Sequence, residues 1–121
     1  MALHNKLGTD GEQAALAFLK KNGLEILHVN WRRHPLEVDI VARDADVLVF
    51  VEVKTRRDMR YGLPEEAITG KKEKHLYEAA EAYLEQYQLE NEVRFDIISV
   101  LPCEEGWRIR HIPDAFRAFG G

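Results

Sequence analysis

Apolar positions change period several times along this chain, and each change marks an element. In "GTDGEQAALAFLKKNG" (8–23), Ala15, Phe18 and Leu19 fall on one helical stripe. Thr9 is a candidate N-cap with Glu12 three residues on, a capping-box spacing, and Gly23 stands where a helix C-terminus favours glycine. The pattern then tightens to strands. "LEILHVNWR" (24–32) reads as one, and "LEVDIVARDADVLVFVEVKT" (36–55) as two more, broken near Asp44-Ala45-Asp46. A second helix is predicted from Lys71 to Tyr87, where Leu76, Ala80, Tyr83 and Tyr87 are spaced four, three and four. "VRFDIISVL" (93–101) and "WRIRHI" (107–112) are further strands, and "PDAFRAF" a short terminal helix or turn. The order α-β-β-β-α-β-β predicts an α/β (α+β) fold, a central mixed five-stranded sheet flanked by helices.

Composition narrows the class. With 121 residues, and no repeat, linker or low-complexity segment, residues 1–121 are expected to form a single domain. Hydrophobic content of 45% and charged content of 31% fit a globular chain in water. No apolar run approaches the ~18 residues of a membrane span, and "MALHNKLGTDGEQ" lacks the apolar core of a signal peptide. No membrane association and a cytoplasmic location are therefore expected. Cys103 is alone, which excludes an internal disulfide and makes it a bystander in a Pro-Cys-Glu-Glu turn.

The net charge of −4 argues against coating nucleic acid through bulk charge. Its distribution changes that picture. "KTRRDMR" (54–60) carries four basic groups against one acid, and "KKEK" (71–74) three against one, while acids gather in 78–92. A basic strip thus stands on an acidic protein, with an ordinary solvated loop as the competing reading.

Charge inside the predicted hairpin is harder to explain. Side chains alternate, so Glu37, Asp39 and Val41 share one face, as do Phe50, Glu52 and Lys54. If Ala45-Asp46 is a two-residue turn, Asp44 opposes Val47, Asp39 opposes Glu52, and Glu37 opposes Lys54. Opposed residues lie about 5 Å apart at Cβ. Two like charges at that distance repel by roughly 3 kcal/mol at an effective dielectric of about 20. One resolution is a Glu37–Lys54 pair, with Asp39 or Glu52 protonated or reaching solvent. The other is a hard divalent cation, Mg²⁺ or Mn²⁺, held by Asp39, Glu52 and a backbone carbonyl such as that of Val53. The oxygen donors favour the cation. The five histidines are scattered and offer no zinc spacing.

Two carboxylates holding a cation beside a lysine form a phosphodiester-cutting arrangement. Asp39, twelve residues, then Glu52-Val53-Lys54 resembles the PD-(D/E)xK nuclease core. "GEQAALAFLKKNG", "NWR", "EVDIVARD", "VFVEVKTR", "RYGLPEEAI", "RFDIISV" and "DAF" extend the likeness over residues 6 to 118. Together they resemble the YraN-like family of predicted bacterial nucleases, itself similar to archaeal Holliday-junction resolvases and restriction endonucleases. The resemblance implies a restriction-endonuclease-like core with Asp39 and Glu52 as metal ligands and Lys54 as the catalytic lysine. It implies that Glu12 reaches the same metal, in competition with its capping role. Glu37 becomes a partner of Lys54 or a second-metal ligand. In the same resemblance Thr55 and Arg56 contact phosphate, and Lys72 matches a lysine of the second helix.

Departures touch the periphery of the pattern. Pro35 is not adjacent to Asp39, Leu36 stands where the family usually has glycine, and Glu73 where glutamine is common. They put the second-helix contacts in doubt and leave the metal core intact. Asp96 in "RFDII" repeats the acid-in-strand pattern and, taken to lack a basic partner nearby in sequence, reads as structural, and Trp31 and Trp107 as packing residues. The expectation is a Mg²⁺- or Mn²⁺-dependent endonuclease acting on nucleic acid, DNA ahead of RNA and branched or structured DNA first. Arg57 and Arg60 join Arg56 and Lys72 in binding it. The competing class is a catalytically silent nucleic-acid-binding or assembly module with the same fold. A homodimer is compatible with either.

Overall fold

The computed structural model describes residues 2–55 and 70–116, with side chains from Thr9 onward. Helix α1 (Ala2–Lys21) leads into β1 (Glu25–Arg33), β2 (Leu36–Asp44) and β3 (Val47–Thr55). Helix α2 (Gly70–Tyr87), β4 (Val93–Cys103) and β5 (Gly106–Phe116) complete the expected order. The strands form one mixed sheet, β1-β2-β3-β4-β5. Only β3 and β4 run parallel. A parallel pair needs a crossover, and α2 lies within it.

Alternation along the strands assigns each helix a face. Val49, Val51, Ile98 and Val100 pack with Ala15, Leu16 and Leu19 of α1. Leu48, Phe50 and Phe95 pack with Leu76, Ala79, Ala80 and Tyr83 of α2. The helices therefore cover opposite faces. Trp31 is buried in the α2 cluster and Trp107 packs against the α1 cluster, so both serve packing.

Hairpin register follows from its turn. Asp44 opposes Val47, and the ladder runs in step to Ile40 opposite Val51. Ala45 takes φ 55°, the left-handed region a primed two-residue turn requires, at a steric cost of about 1–2 kcal/mol.

Two boundaries differ from expectation. Helix α1 begins at Ala2, so Thr9 lies within it and caps nothing. The seven residues before Thr9 contain no proline, and only Gly8 weakens the run, so nothing halts the helix there. Residues 113–116 are not helical but continue β5. The Asp114 N–H donates to Asp96 Oδ1 at 3.0 Å, and the register shifts between Phe95 and Ile97. This bulge absorbs Pro113, which could not donate to a regular ladder.

Helix α1 comes very close to the sheet at Gly11. A Cβ there would lie 2.7 Å from Thr55 Oγ1 and 2.9 Å from Val100 Cγ2. Glycine permits that approach and delivers its neighbour Glu12 to the mouth of the hairpin.

Candidate active site

The site forms where β2 and β3 part. Their ladder stops at Ile40–Val51, and the next strand residue, Asp39, accepts the Val53 N–H at Oδ2 over 2.8 Å. A carboxylate thus replaces the main-chain partner that the opened ladder would have lost. The core divides at the same residue. Ile40 packs with the α1 cluster, whereas Val38 joins Trp31 in the α2 cluster.

Glu52 lies beside Asp39 and is only 7% exposed. The two carboxyls lie close enough for the charge of one to bear on the other. Burial first, and then the charge of Asp39, push the Glu52 carboxyl up to about 7. Burial also raises Asp39, against the Val53 N–H and the Lys72 charge that lower it. Two lysines attend the pair: Lys54 Nζ is 3.9 Å from Glu52 Oε1, and Lys72 Nζ is 3.4 Å from Oε2. The α2 lysine expected to meet nucleic acid therefore reaches Glu52 directly.

Glu12 stands behind the pair, close enough to feel the Asp39 charge. Burial foremost, and then Asp39, raise its carboxyl, while a hydrogen bond from Asn30 and the Arg32 charge lower it. Among the described residues its Oε1 is buried without a hydrogen-bond partner, an unsatisfied acceptor. Glu37 takes a different direction. The expected pair with Lys54 does not form; Glu37 opposes Arg32 on β1 and pairs with its Nε at 3.4 Å, both side chains largely exposed. Thr55 is set on the α1 face beneath Gly11, opposite to the face of Lys54. Arg56, Arg57 and Arg60 lie outside the described residues.

Asn30 was not assigned a role from sequence. Its neighbours Val29 and Trp31 oppose Ile40 and Val38, so it sits level with Asp39, and its φ is 54°. An asparagine in the left-handed region within a strand was the available signal, since few other side chains tolerate it. Arg32, the other missed residue, belongs to the same "NWR" stretch.

Among the described residues, no three His, Cys, Asp or Glu side chains close on one point to form a ready-made metal cage. The donor set is instead an Asp39–Glu52 pair with Glu12 behind it. Such a set fits a hard cation that retains several waters, as Mg²⁺ does, and the orphaned Glu12 oxygen is an acceptor such a water would satisfy. No helix among the described residues is long and apolar enough to cross a membrane.

A mixed sheet in this order, with Asp, Glu and Lys gathered where its central hairpin opens, defines a restriction-endonuclease-like core. Residues 11–100 match the family described as "Uncharacterised protein family UPF0102", and the chain belongs to that family. A UPF0102 protein of Bacteroides thetaiotaomicron is 47% identical over 116 residues, covering 96% of each chain. One from Christiangramia forsetii is 41% identical, covering 98% of this chain and 100% of its own. One from Caldicellulosiruptor saccharolyticus is 48% identical over 96 residues, 78% of this chain and 81% of its own.

Proposed function

We propose that this protein is a divalent-cation-dependent endonuclease hydrolysing phosphodiester bonds of nucleic acid, with branched or structured DNA as its substrate. The observation that carries the reading is the Asp39–Glu52 pair, a half-buried and a buried carboxyl brought together at a ladder opening with lysines beside Glu52. A structural role alone would not require a second acid where the first already faces desolvation.

Asp39 and Glu52 would hold the cation, with the Val53 carbonyl and Glu12 as further oxygen donors. When bound, Mg²⁺ or Mn²⁺ polarises the phosphate and lowers the pKa of a coordinated water. The Val53 N–H fixes the orientation of the Asp39 carboxylate before substrate arrives. Lys54, on the Glu52 face of the same strand, positions the attacking water and offsets charge that develops on the phosphate. Lys72 balances Glu52 in the free protein and supplies a cation for the substrate backbone.

One observation supports a second reading, a silent binding or assembly module. Lys54 and Lys72 together already balance Glu52 without any metal. A single assay separates the two. Four-way-junction, single-stranded and duplex DNA, and RNA, are incubated with Mg²⁺, Mn²⁺ or EDTA. The endonuclease reading expects metal-dependent scission of at least one substrate, abolished in Lys54→Ala; binding without scission of any substrate would support the module.

A further inference from the structure

The β4–β5 hairpin presents basic side chains on the same face as the candidate site. Trp107 and Ile109 pack against the α1 cluster. By alternation Arg108 and Arg110 project from the opposite face, which is the face of Phe50, Glu52 and Lys54. Both arginines are exposed. Register places them in line with the site: Lys54 pairs with Ser99, and Ser99 with Arg110. Arg108 follows two residues along, beside Leu101.

These positions set a scale. Adjacent strands lie about 4.8 Å apart, so the Lys54 and Arg110 backbones are separated by about 10 Å. Arg108 lies about 7 Å beyond, comparable with the rise of two nucleotides along one DNA strand. On this face the residues of the row are Ser99 and Leu101 on β4, and Arg108, Arg110 and Ile112 on β5, with no acid among them. Glu104 and Glu105 bound the row at the hairpin turn. Helix α2 meets β4 and β5 through Tyr77 at Phe95 and Phe116, four or more residues along these strands from Ser99 and Arg110.

We propose that Arg108 and Arg110 form a second phosphate-contacting surface, which holds the DNA backbone flanking the bond presented to Lys54. The inference rests on the endonuclease reading and adds where the flanking strand lies. Guanidinium groups suit the role because their planar fork bonds phosphate in two places and stays charged at any working pH. The chain's overall negative charge makes the placement informative, since attraction must come from a local row.

The test measures binding of a labelled duplex and a labelled four-way DNA junction against salt concentration, with Ca²⁺ replacing Mg²⁺, beside cleavage in Mn²⁺. The variants are Arg108→Gln/Arg110→Gln and the charge-keeping Arg108→Lys/Arg110→Lys. A control, Lys20→Gln/Lys21→Gln, removes equal charge from the last turn of α1. The glutamine pair should bind on the order of tenfold or more weakly, with a log–log salt slope flatter by about 2, while the lysine pair and the control keep near-wild-type slopes. If the glutamine pair binds like wild type with an unchanged slope, while wild type cleaves, the surface is wrong and the endonuclease reading stands. An equal loss in the Lys20/Lys21 control also overturns the surface, because net charge then explains it. If wild type binds no DNA at all, both the reading and the surface fall. Weakened binding in the glutamine pair without cleavage by wild type supports the surface and removes the endonuclease.

Discussion

Two groups of acids at or near the core lie one strand apart in the sheet, and their surroundings are reversed. Asp96, 1% exposed on β4, is enclosed by donors. Arg94 Nε and Nη2 bond its two oxygens at 2.9 and 3.0 Å, His111 Nε2 lies 2.7 Å from Oδ2, and the Asp114 N–H completes the set. Burial pushes this carboxyl up, but the bonds from His111, Arg94 and Asp114 outweigh it and hold it below the usual range. Asp39 and Glu52 face each other instead, both raised, and Glu12 leaves an oxygen unpaired. An acid surrounded by donors is scaffold; acids set against acids are, in the proposed reading, the place for a cation.

The largest effect should fall on the scaffold. Asp96→Asn weakens several charge-assisted bonds to a buried carboxylate and leaves the half-buried Arg94 with Asp44 as its carboxylate partner; at about 1.5–3 kcal/mol for each such bond, a loss of about 3 kcal/mol is expected. Chemical denaturation should report that loss, while cleavage per folded molecule stays near wild type. A mild effect on stability would dissolve the contrast.

Next come the site residues. Asp39→Asn, Glu52→Gln and Lys54→Ala should each lower cleavage of a competent substrate by at least about a hundredfold, with folding retained. Wild-type cleavage by any folded member removes it from the mechanism.

Opposite shifts predict opposite responses to pH in the metal-free protein. Glu52 rises from an ordinary 4.5 to about 7, so the folded state binds the extra proton. Its contribution is neutral below about 4.5, turns unfavourable as pH climbs, and is fully unfavourable above about 7. Asp96 is lowered, so its stabilisation is full above the ordinary carboxylate range and disappears as pH falls through its folded value. Denaturation midpoints across pH 4 to 8 should lose the neutral-side decline in Glu52→Gln; a decline of equal size in that variant would assign it elsewhere.

Both clusters carry acids in strands, yet the sequence distinguished them unevenly. The hairpin register was legible because Ala45-Asp46 is a two-residue turn and a slip would set carboxylates against Val38 and Ile40. That placed Asp39 beside Glu52. It did not show that the ladder opens at Asp39, which sent Glu37 to Arg32. The start of α1 was obscured because Thr9 and Glu12 imitate a cap inside a continuing helix. Asn30, and the reach of the named Lys72 to Glu52, were hidden for another reason: they depend on how β1 and α2 dock, a tertiary fact that local spacing does not carry. Arg94 lies two residues from Asp96, and only the alternation of β4 puts both on one face.

The smallest effect bears most directly on the central claim, that Asp39 and Glu52 are held under strain for a cation. Thermal melts of wild type and Asp39→Asn, in EDTA and in millimolar Mn²⁺ at constant ionic strength, measure it. Asp39→Asn should be more stable than wild type in EDTA by about 1 kcal/mol, since it removes one of two opposed charges without changing shape. Mn²⁺ should raise the wild-type Tm through binding to the folded state, and the variant should lose most of that response. A wild type that ignores Mn²⁺, with a variant that melts lower in EDTA, would contradict the account.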